Sequence, residues 1–418
     1  MSSPSKLRND CFALPAGVHW TPVSEALDLL EQRLRCCVPV ETCAVEAIDG
    51  RVLAHAVVAA RSHPPCPNSA VDGYAFSGGL EAGEQSFELR QGRSAAGEAF
   101  SGQLRPGQAL RILTGAALPE GADTVVLQED VEVEGGRLKV VGPLRAGANA
   151  RAAGEDMKQG AEIFPAGHQL RPEDLGVMAA AGLGEVCVFK PLKVAVISTG
   201  AELRASGQAA RVDQIFDANR PMLCALLRRW GMEVVDIGIV PDEAVAVRAA
   251  LDQAAEHADV IVTSGGASAG DEDHMSAVLH AGGGMALWRI AVKPGRPLAL
   301  GVWGGVPVFG LPGNPVAAFV CTLIFARPAL LQMAGAGFQM PKSLHLPAAF
   351  SKLKKAGRRE YLRARLRDGA VEVFGSEGSG RVSGLSWAEG LVELPDAAAE
   401  ILPGQTVCFL PYASFGLP

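Results

Sequence analysis

No excess of positive charge is present in this sequence. Its 38 Lys and Arg residues are outnumbered by 45 Asp and Glu residues, and the formal net charge is −7. A chain of this charge lacks the electrostatic footprint of a protein whose main partner is nucleic acid or an anionic membrane. Any site for an anionic substrate must therefore gather its own cationic residues locally.

Cysteine pairs of the CxxC kind are also absent. The nine cysteines are an odd number and are scattered along the chain. This pattern argues against zinc ligation and redox chemistry. We expect the cysteines to be reduced and mainly buried, as small apolar residues.

A secretory leader and a membrane span are not expected either. The first ten residues, MSSPSKLRND, contain no apolar core of the kind that a signal peptide has. We find no apolar run that approaches the length needed to cross a bilayer. We therefore predict a cytoplasmic protein that has neither nucleic acid nor a membrane as a partner.

Turn-forming and apolar residues are abundant. The chain has 49 glycines and 27 prolines, and 48% of its 418 residues are hydrophobic. At about 150 residues per domain, this length predicts roughly three domains. The pattern favours a multidomain fold of α/β and β parts, divided as follows: 1–37, an N-terminal helix packing on the α/β domain; 38–61 with 149–190, an elongated mixed linker domain; 62–148, an inserted β domain; 191–338, the α/β domain; and 339–418, a C-terminal β domain.

Local patterns support these divisions. A predicted amphipathic helix begins at Thr21 as N-cap, and a second short helix is predicted over 46–58. Short alternating runs between glycine and proline turns indicate β structure over 62–141 and again after Gly337. From Leu192 onward strands and helices alternate, which predicts a parallel, doubly wound sheet that binds ligands beyond the carboxyl ends of its strands.

Three glycine-rich turns follow apolar runs in the α/β part, and we expect all three at one edge of the sheet. They are TSGGASAGDED (263–273), VKPGRP (292–297) and GLPGNP (310–315). Glycine lets the backbone approach an anion closely, Lys293 and Arg296 would hold oxyanions, and the carboxylates at 271–273 would hold a cation. The alternative is that these are ordinary strand-to-helix turns. The other candidate residues in these turns are Ser264, Gly265, Gly266, Ser268, Asp273, Pro312, Gly313, Asn314 and Pro315.

Further polar side chains stand at turns elsewhere. Asp72 in NSAVDGYAF is a candidate metal ligand or acid–base group, or else the cap of an Asx-turn. Thr114 ends a strand in LTGAALPEGADTVV, where it would face a ligand or simply close a turn. Glu155 and Asp156 in AGEDM and Glu202 in STGAEL are candidate cation ligands, or members of solvated acidic turns.

The segment DANRP precedes a predicted helix. Asp217 and Asn219 are both suitable N-cap residues. We expect them chiefly to cap this helix, with a secondary role as ligands.

Taken in order, these motifs resemble the molybdopterin molybdenumtransferases, the family known in bacteria as MoeA and related to the C-terminal part of gephyrin. The motifs NSAVDGYAF, LTGAALPEGADTVV, AGEDM, STGAEL, TSGGASAGDED, KPGRP and LPGNP span nearly the whole chain from Thr21. Each motif is weak alone, but the ordered set is specific. The α/β module alone also resembles molybdopterin adenylyltransferases and CinA-type proteins, and the NSAVDGYAF loop separates the larger family from them.

The resemblance implies an enzyme that inserts molybdenum from molybdate into adenylylated molybdopterin, with Mg²⁺-dependent release of AMP. It also implies an elongated four-domain homodimer with a MogA-like α/β domain, a C-terminal β-barrel-like domain and a site in an inter-subunit cleft. The implied protein partners are the molybdopterin adenylyltransferase and downstream molybdoenzyme-maturation proteins. By motif position, the resemblance assigns catalytic roles to Asp72, Thr114, Glu155, Asp156 and Asp273, metal ligation to Glu202, Asp242 and Asp273, and substrate contacts to Lys293, Arg296, Pro312, Pro315, Arg358 and Ser379.

Four positions depart from the family's pattern. Val71 stands where Met is common, His274 where an aromatic residue is usual, Arg296 where Lys is common and Ala317 where a small hydroxyl residue is frequent. Arg296 keeps the charge but presents a planar fork, which would alter the geometry of an oxyanion contact. Two alternatives stay open: a nucleotide pyrophosphatase or molybdopterin adenylyltransferase using the same α/β module, and a non-catalytic gephyrin-like scaffold. Molybdate and tungstate are too similar in size and charge for the sequence to distinguish them.

Overall fold

The computed structural model describes residues 20–265, 274–282, 284–295 and 297–418, and the chain forms two compact units. Unit 1 comprises the residues up to Glu41, Gly50–Val52 and Phe189–Pro418. Unit 2 comprises Thr42–Asp49 and Leu53–Val188. The finer division of the chain into five segments stays a prediction.

The helices are distributed over both units. In chain order they are α1 (Val23–Arg33), α2 (Pro172–Ala180), α3 (Asn219–Arg229), α4 (Ala244–His257), α5 (His274–Gly282), α6 (Pro315–Cys321), α7 (Arg327–Met333) and α8 (Ser383–Trp387). A π-helical segment, Thr322–Ala326, joins α6 to α7. Short 3₁₀ turns are formed by Val45–Ala47, Gln128–Asp130 and Tyr412–Phe415.

The first helix begins one residue later than predicted. Pro22 is the N-cap and Val23 is the first helical residue, while Leu27 and Leu30 are buried on the apolar face. The predicted second helix over 46–58 is wrong. Gly50 adopts a φ of +73° there, which is incompatible with a continuing α-helix, so the segment forms only a 3₁₀ turn and a short strand.

Unit 2 is mainly β structure. After β1 (Val40–Ala44), its strands are β2 (Val57–Val58), β3 (Asn68–Ser69), β4 (Gly73–Phe76), β5 (Leu80–Ser94), β6 (Gln108–Ile112), β7 (Thr124–Leu127), β8 (Val131–Glu134), β9 (Arg137–Leu144), β10 (Ala150–Arg151), β11 (Glu162–Phe164) and β12 (Glu185–Phe189). Six of them form one sheet in the order β7-β4-β6-β5-β9-β8. Gly135 and Gly136, both at positive φ, close the predicted hairpin between β8 and β9.

A second core in unit 2 lies away from this sheet. It joins buried apolar residues from the 45–57 segment, such as Ile48 and Leu53, to residues from the 170–188 segment, such as Leu170, Met178 and Val188. The chain between these segments carries the six-stranded sheet, which has separate cores of its own. Residues far apart in the sequence therefore pack together, and the segment that lies between them in the sequence forms a separate β structure.

The strands in the α/β part of unit 1 are β13 (Lys193–Thr199), β14 (Leu203–Arg204), β15 (Ile215–Phe216), β16 (Glu233–Val240), β17 (Val260–Ser264), β18 (Gly284–Arg289), β19 (Val292–Lys293), β20 (Pro297–Trp303) and β21 (Val306–Leu311). Strands β14 and β15 pair with each other, and six of the other strands form one sheet. The sheet order is β16-β13-β17-β21-β20-β18. The expectation of an all-parallel sheet is wrong for its last two strands: β20 returns antiparallel to β21 through a Gly304–Gly305 hairpin, and β18 pairs antiparallel with β20.

The doubly wound arrangement is confirmed by the two faces of β13. Val194 and Val196 belong to a core shared with α1, α3, α6 and α7. The intervening residues, Ala195 and Ile197, belong to a second core shared with α4 and α5. Successive side chains of a strand point to opposite faces, so both faces of this sheet are covered.

The strands in the C-terminal part of unit 1 are β22 (Leu344–Pro347), β23 (Lys352–Lys354), β24 (Arg359–Arg367), β25 (Ala370–Val373), β26 (Gly390–Leu394), β27 (Ala399–Ile401) and β28 (Thr406–Pro411). Strands β23 and β27 pair with each other, and the other five belong to a second sheet. This sheet also takes in β19, which pairs in parallel with β24 so that Lys293 lies opposite Glu360. The VKPGRP turn therefore follows a strand of the C-terminal sheet, which corrects the expectation that all three glycine turns end strands of the α/β sheet.

The helical run from Pro315 to Met333 corrects a second expectation. Its 19 residues are long and apolar enough to cross a membrane, with a mean hydropathy of 1.7. However, 94% of that stretch is buried inside the protein, where it contributes Phe325, Leu330 and their neighbours to the largest core. The run is apolar all round because protein surrounds it.

Candidate functional site

The carboxyl ends of β13 and β17 bring four hydroxyl side chains together. The two strands are parallel neighbours, with Ile197 paired to Thr263 and Ser198 paired to Ser264. Ser198, Thr199, Thr263 and Ser264 are all buried. The carboxyl edge of a parallel sheet is where ligands bind in this class of fold, and the strand register concentrates hydroxyl groups at that edge.

Asn219 connects this edge to the GLPGNP turn. It is the first residue of α3 and is 6% exposed. Its side-chain amide donates to the Ser264 hydroxyl at 2.6 Å and to the Gly313 carbonyl at 2.7 Å. One buried amide therefore holds the turns after β17 and β21 side by side.

Several buried polar atoms at this edge have no hydrogen-bond partner among the described residues. They are Ser198 Oγ, Thr199 Oγ1, Asn219 Oδ1 and Thr263 Oγ1. An unsatisfied buried polar atom costs about 1–3 kcal/mol, and native proteins contain few of them. Their concentration at one sheet edge indicates a place where a ligand supplies the missing partners.

Gly265 distinguishes this edge from an ordinary turn. A Cβ at that position would lie 2.2 Å from the Thr199 carbonyl oxygen, and the residue adopts a φ of +90°. The Gly313 backbone also approaches closely, since a Cβ on Gly313 would lie 3.7 Å from the Gly265 α-carbon. Gly265 therefore permits a backbone approach that no larger residue allows.

The predicted capping role of DANRP is present in the structure. Asp217 Oδ1 accepts hydrogen bonds from the backbone N–H groups of Asn219 and Arg220, both at 3.1 Å. The predicted capping role is incomplete for Asn219. Its side chain does not cap the helix but holds together the turns after β17 and β21. No local sequence signal indicates this role, since both partners lie far along the chain.

Two candidate metal ligands follow the neighbouring strands β13 and β16. Asp242 lies beyond the end of β16, on the wall of an open cleft of about 570 Å³ that also includes Gly200, Arg204 and Arg220. Its Oδ1 atom is buried and has no hydrogen-bond partner within the described ranges. The Glu202 carboxylate folds back over Gly200, where an added Cβ would meet it at 2.8 Å.

Lys293 is paired with carboxylates. Its ammonium donates to Glu377 at 2.6 Å and lies 3.5 Å from Glu360. Lys352 contacts the same two carboxylates. Lys293, which we expected to bind an oxyanion, is thus one member of a four-residue charge cluster. The other three members are Lys352 on β23, Glu360 on β24 and Glu377 in the loop before α8. Sequence analysis missed them because they are distant from Lys293 in the chain.

The remaining substrate candidates of unit 1 lie around α6. Pro312 is buried, and Asn314 is the N-cap of this helix, followed by Pro315 as its first residue. The Ser379 carbonyl accepts a hydrogen bond from the Val316 N–H at 3.1 Å, so the Ser379 loop lies at the start of the helix. Arg358 is half-buried directly before β24.

Ala317, the departure from the family pattern at α6, is 1% exposed. Its methyl group would lie 3.6 Å from a Cβ placed on Gly295 in the VKPGRP turn. The VKPGRP turn therefore packs on the first turn of α6.

In unit 2, antiparallel pairing brings Asp72 and Thr114 together. Asp72 precedes β4 and Thr114 follows β6, and the two strands pair with Gly73 opposite Ile112. Both the backbone N–H and the hydroxyl of Thr114 donate to Asp72 Oδ1 at 2.7 Å. These two hydrogen bonds, the backbone one first, hold the pKa of Asp72 below its ordinary value, so the side chain is a carboxylate near neutral pH.

The same loop requires a glycine after Asp72. A Cβ on Gly73 would lie 1.9 Å from the Val126 carbonyl oxygen. Ser69 ties the loop to the Thr114 segment, because its carbonyl accepts from the Gly115 N–H at 2.8 Å and its N–H donates to the Ala116 carbonyl at 2.9 Å. The NSAVDGYAF and LTGAALP motifs therefore form one structure.

Glu155 and Asp156 occupy the exposed turn after β10. Glu155 Oε2 accepts from the Ala152 N–H at 3.0 Å, and the Asp156 N–H donates to the His63 carbonyl at 3.1 Å. These contacts are those of an acidic turn, one of the two interpretations left open by the sequence.

Four candidate residues lie outside the described residues: Gly266, Ser268, Asp273 and Arg296. The proposed metal set of Glu202, Asp242 and Asp273 is therefore only partly described. Within the described part of the chain, no group of three or more His, Cys, Asp or Glu side chains is positioned to hold a metal ion.

Comparison with protein-family models matches three parts of this chain. Residues 21–182 match the MoeA N-terminal region (domain I and II), residues 195–332 match a probable molybdopterin binding domain, and residues 345–412 match the MoeA C-terminal region (domain IV). The matches follow the order in which the motifs occur in the sequence.

Curated relatives and solved structures agree with these matches. The chain is 36% identical over 371 residues to the molybdopterin molybdenumtransferase of Haemophilus influenzae, covering 87% of this chain and 91% of that protein. It is 33% identical over 397 residues to molybdopterin molybdenumtransferase 2 of Mycobacterium tuberculosis, covering 91% and 97%. A crystal structure of a molybdopterin biosynthesis MoeA protein from Pyrococcus horikoshii superimposes with a TM-score of 0.83 at 27% identity, covering 94% of this chain and 100% of that one.

Proposed function

This chain belongs to the MoeA family of molybdopterin molybdenumtransferases, and from that premise we propose that it inserts molybdenum from molybdate into adenylylated molybdopterin with Mg²⁺-dependent release of AMP. It is a transferase of molybdenum cofactor biosynthesis. The observation that carries the proposal is the set of buried, unpartnered hydroxyl and amide oxygens at the carboxyl edge of the α/β sheet.

This edge suits a pterin joined to a pyrophosphate. The hydroxyls of Ser198, Thr199 and Thr263 can donate to phosphate oxygens or accept from pterin N–H groups. Gly265 lets the turn after β17 lie directly against the end of β13. Asn219 fixes the spacing of the turns after β17 and β21, so the substrate meets a preformed surface.

The residues present fit a magnesium ion in part. Asp242 supplies a buried carboxylate oxygen that lacks a partner among the described residues, and Glu202 supplies a second carboxylate after the neighbouring strand. Mg²⁺ is usually held by one or two carboxylates together with substrate phosphate and water. When bound, it would neutralise charge on the phosphate oxygens during cleavage of the phosphoanhydride.

The oxyanion would meet the cationic residues of the VKPGRP turn. Lys293 presents an ammonium group next to the N-terminal turn of α6 and the Ser379 loop. Molybdate carries two negative charges, which an ammonium group and nearby N–H donors stabilise. We include Arg296, Arg358 and Ser379 in this proposed role on the strength of the family resemblance.

Asp72 would serve as an ionised group. Thr114 satisfies one of its oxygens, Oδ1, with two hydrogen bonds, which fixes the orientation of the carboxylate. The carboxylate is therefore suited to accept a proton or to stabilise positive charge. Glu155 and Asp156 keep their family-implied roles as part of this proposal.

The family resemblance also supports a cytoplasmic homodimer that receives substrate from a molybdopterin adenylyltransferase and passes cofactor to proteins that mature molybdoenzymes. Light scattering on the purified chain tests the dimer. Pull-down with a purified adenylyltransferase, with and without bound adenylylated molybdopterin, tests the delivery step.

The alternative of an adenylyltransferase or pyrophosphatase is not favoured. Those activities would need the α/β module alone, whereas family models match regions on both sides of it and the curated relatives align over most of the chain. The same whole-chain agreement with enzymes named as transferases argues against a non-catalytic scaffold.

The deciding assay follows AMP release and molybdenum incorporation by the purified chain. We expect AMP only when adenylylated molybdopterin, molybdate and Mg²⁺ are all supplied, and none from ATP with molybdopterin. AMP release without molybdate or without a divalent cation would contradict the proposed reaction. A mixture of molybdate and tungstate, followed by metal analysis of the product, measures the preference between the two metals.

A matched pair of variants tests the metal assignment. Asp242→Asn removes the charge of this half-buried carboxylate, and we expect it to raise the Mg²⁺ concentration needed for half-maximal rate by at least about tenfold. Glu243→Gln removes the same charge from the adjacent, exposed residue and should leave that concentration unchanged. Equal behaviour of the two variants would remove Asp242 from the metal site.

A further inference from the structure

A cavity of about 200 Å³ lies beside Lys293 in the C-terminal part of unit 1. Its walls include Lys352, Arg363 and Glu377, with Phe350 and Phe374 as apolar neighbours. The lysines and the glutamate belong to the charge cluster described above, so the cavity is a charged compartment with partly apolar walls.

Glu377 bridges the two lysines of this compartment. One carboxylate oxygen accepts from Lys293 Nζ at 2.6 Å, and the other accepts from Lys352 Nζ. The lysine side chains are only 15% and 12% exposed. Two oxygens on one atom therefore contact two nearly buried ammonium groups, which is the arrangement that two oxygens of a tetrahedral oxyanion would also make.

The two carboxylates of the cluster differ in how firmly they are held. Glu360 belongs to β24, is 9% exposed, and lies 3.5 Å from Lys293 Nζ and 3.3 Å from Lys352 Nζ. Glu377 lies in the loop between β25 and α8, and its side chain is 45% exposed. Glu360 is thus a fixed counter-charge, whereas Glu377 has solvent into which it can turn.

Arg363 holds the backbone of this loop. Its guanidinium donates to the carbonyls of Ser376 and Arg381, both at 2.5 Å, and to the Gly378 carbonyl at 3.2 Å. The loop is therefore anchored on both sides of Glu377. Displacement of the carboxylate requires only side-chain rotation, and it leaves the Ser379 contact with α6 in place.

We propose that Glu377 is an internal competitor for the oxyanion, and that Lys352 is a second cationic contact that the oxyanion gains when it displaces this carboxylate. The inference rests on the proposed oxyanion role of Lys293. When Glu377 turns away, Glu360 is the remaining carboxylate that contacts both ammonium groups among the described residues, and these three side chains together carry a net positive charge. A tetrahedral dianion then replaces the carboxylate, so oxyanion binding is an exchange of anions.

Isothermal titration of molybdate into the purified full-length chain tests this exchange. Glu377→Gln removes the competing charge, and we expect it to tighten molybdate binding by about tenfold, the scale of one charge-assisted hydrogen bond. Lys352→Met should weaken binding by a similar factor. The control is Glu372→Gln, which removes a carboxylate of comparable exposure, 39%, that pairs with Arg365 on the neighbouring strand; its affinity should match that of the wild type.

The outcomes separate this inference from the proposed function. If Lys293→Met weakens molybdate binding but Glu377→Gln does not tighten it, the competitor role is wrong and the oxyanion site stands. If Lys293→Met binds molybdate as the wild type does, the oxyanion site and the competitor role are both wrong. Should Lys352→Met fail to fold, as judged by tryptophan fluorescence, the comparison of Glu377→Gln with Glu372→Gln decides alone.

Discussion

Replacement of Gly265 by alanine perturbs the proposed molybdopterin edge at its tightest point. The new Cβ would lie 2.2 Å from the Thr199 carbonyl oxygen and 3.2 Å from the Thr199 hydroxyl. Because the nearest atom belongs to the backbone of β13, a side-chain rotation cannot relieve the contact. The end of β13 or the turn after β17 must move.

Two terms contribute to the expected loss of stability. A left-handed φ costs an alanine about 1–2 kcal/mol, and forcing an extra methyl group into a packed region costs about 1–3 kcal/mol. We therefore expect Gly265→Ala to lower the free energy of unfolding by about 2–5 kcal/mol. Gly305→Ala isolates the first term, because Gly305 has a φ of +85° and no atom of the described residues lies within 4 Å of its Cβ position.

Tryptophan fluorescence during urea unfolding measures this difference. The five tryptophans, Trp20, Trp230, Trp288, Trp303 and Trp387, all belong to unit 1, so the signal reports that unit alone. Gly313→Ala serves as a second control, since its nearest contact with a described residue, at 3.7 Å, is ordinary van der Waals distance.

Unfolding of Gly265→Ala at the same urea concentration as Gly305→Ala would contradict a steric clash between Gly265 and the Thr199 carbonyl. A loss of AMP release by Gly265→Ala, with AMP release by Gly305→Ala unchanged, would in addition assign the close backbone approach to substrate binding. Equal activity of the two variants would remove Gly265 from the proposed site.

The remaining predictions concern buried or paired charges. Thr114→Val removes a donor to Asp72, so we expect the pKa of Asp72 to rise, and the acid limb of the pH–rate profile to move to higher pH; an unmoved limb would exclude Asp72 from the rate. Burial raises the pKa of Asp174, but hydrogen bonds from His168 and Arg171 outweigh it and hold this pKa low. Asp174→Ala should destabilise unit 2 by about 1–3 kcal/mol in circular dichroism unfolding at pH 7. The contribution of the ionised carboxylate is present above its unfolded pKa of about 3.9 and is lost as the pH falls through the lower folded value; a loss independent of pH would contradict this. Burial lowers the pKa of Arg327 to about 10, and its Nε has no hydrogen-bond partner among the described residues, so Arg327→Met should match or exceed the wild type in tryptophan-monitored stability; a loss above about 2 kcal/mol would contradict it.

Much of the fold was accessible from local patterns. Alternation of strand and helix patterns predicted the α/β part, and the paired glycines 135 and 136 predicted a hairpin that the structure contains. The patterns failed where the direction of a strand or the continuity of a helix depended on packing against residues distant in the sequence. Strands β18 and β20 have strand-like sequences, but only the tertiary pairing shows that they run antiparallel to their neighbours.

The sequence by itself determined the family, because motif order needs no coordinates. It also showed where the chain requires glycine, because few physical needs select a residue without a side chain, chiefly a positive φ or a close backbone approach. Gly73 and Gly265 both stand where a Cβ would collide with a backbone carbonyl.

Only the tertiary structure decided which of these polar groups have partners. Lys293 and Glu377 are 84 residues apart in the chain yet 2.6 Å apart in space, and Asn219 meets Gly313 across 94 residues. The physical reason is that charge pairing and hydrogen bonding depend on distance and burial, which the packing of whole sheets sets. The sequence therefore identifies Lys293 as a cationic residue of the site, and the fold identifies Glu377 as the carboxylate that pairs with it.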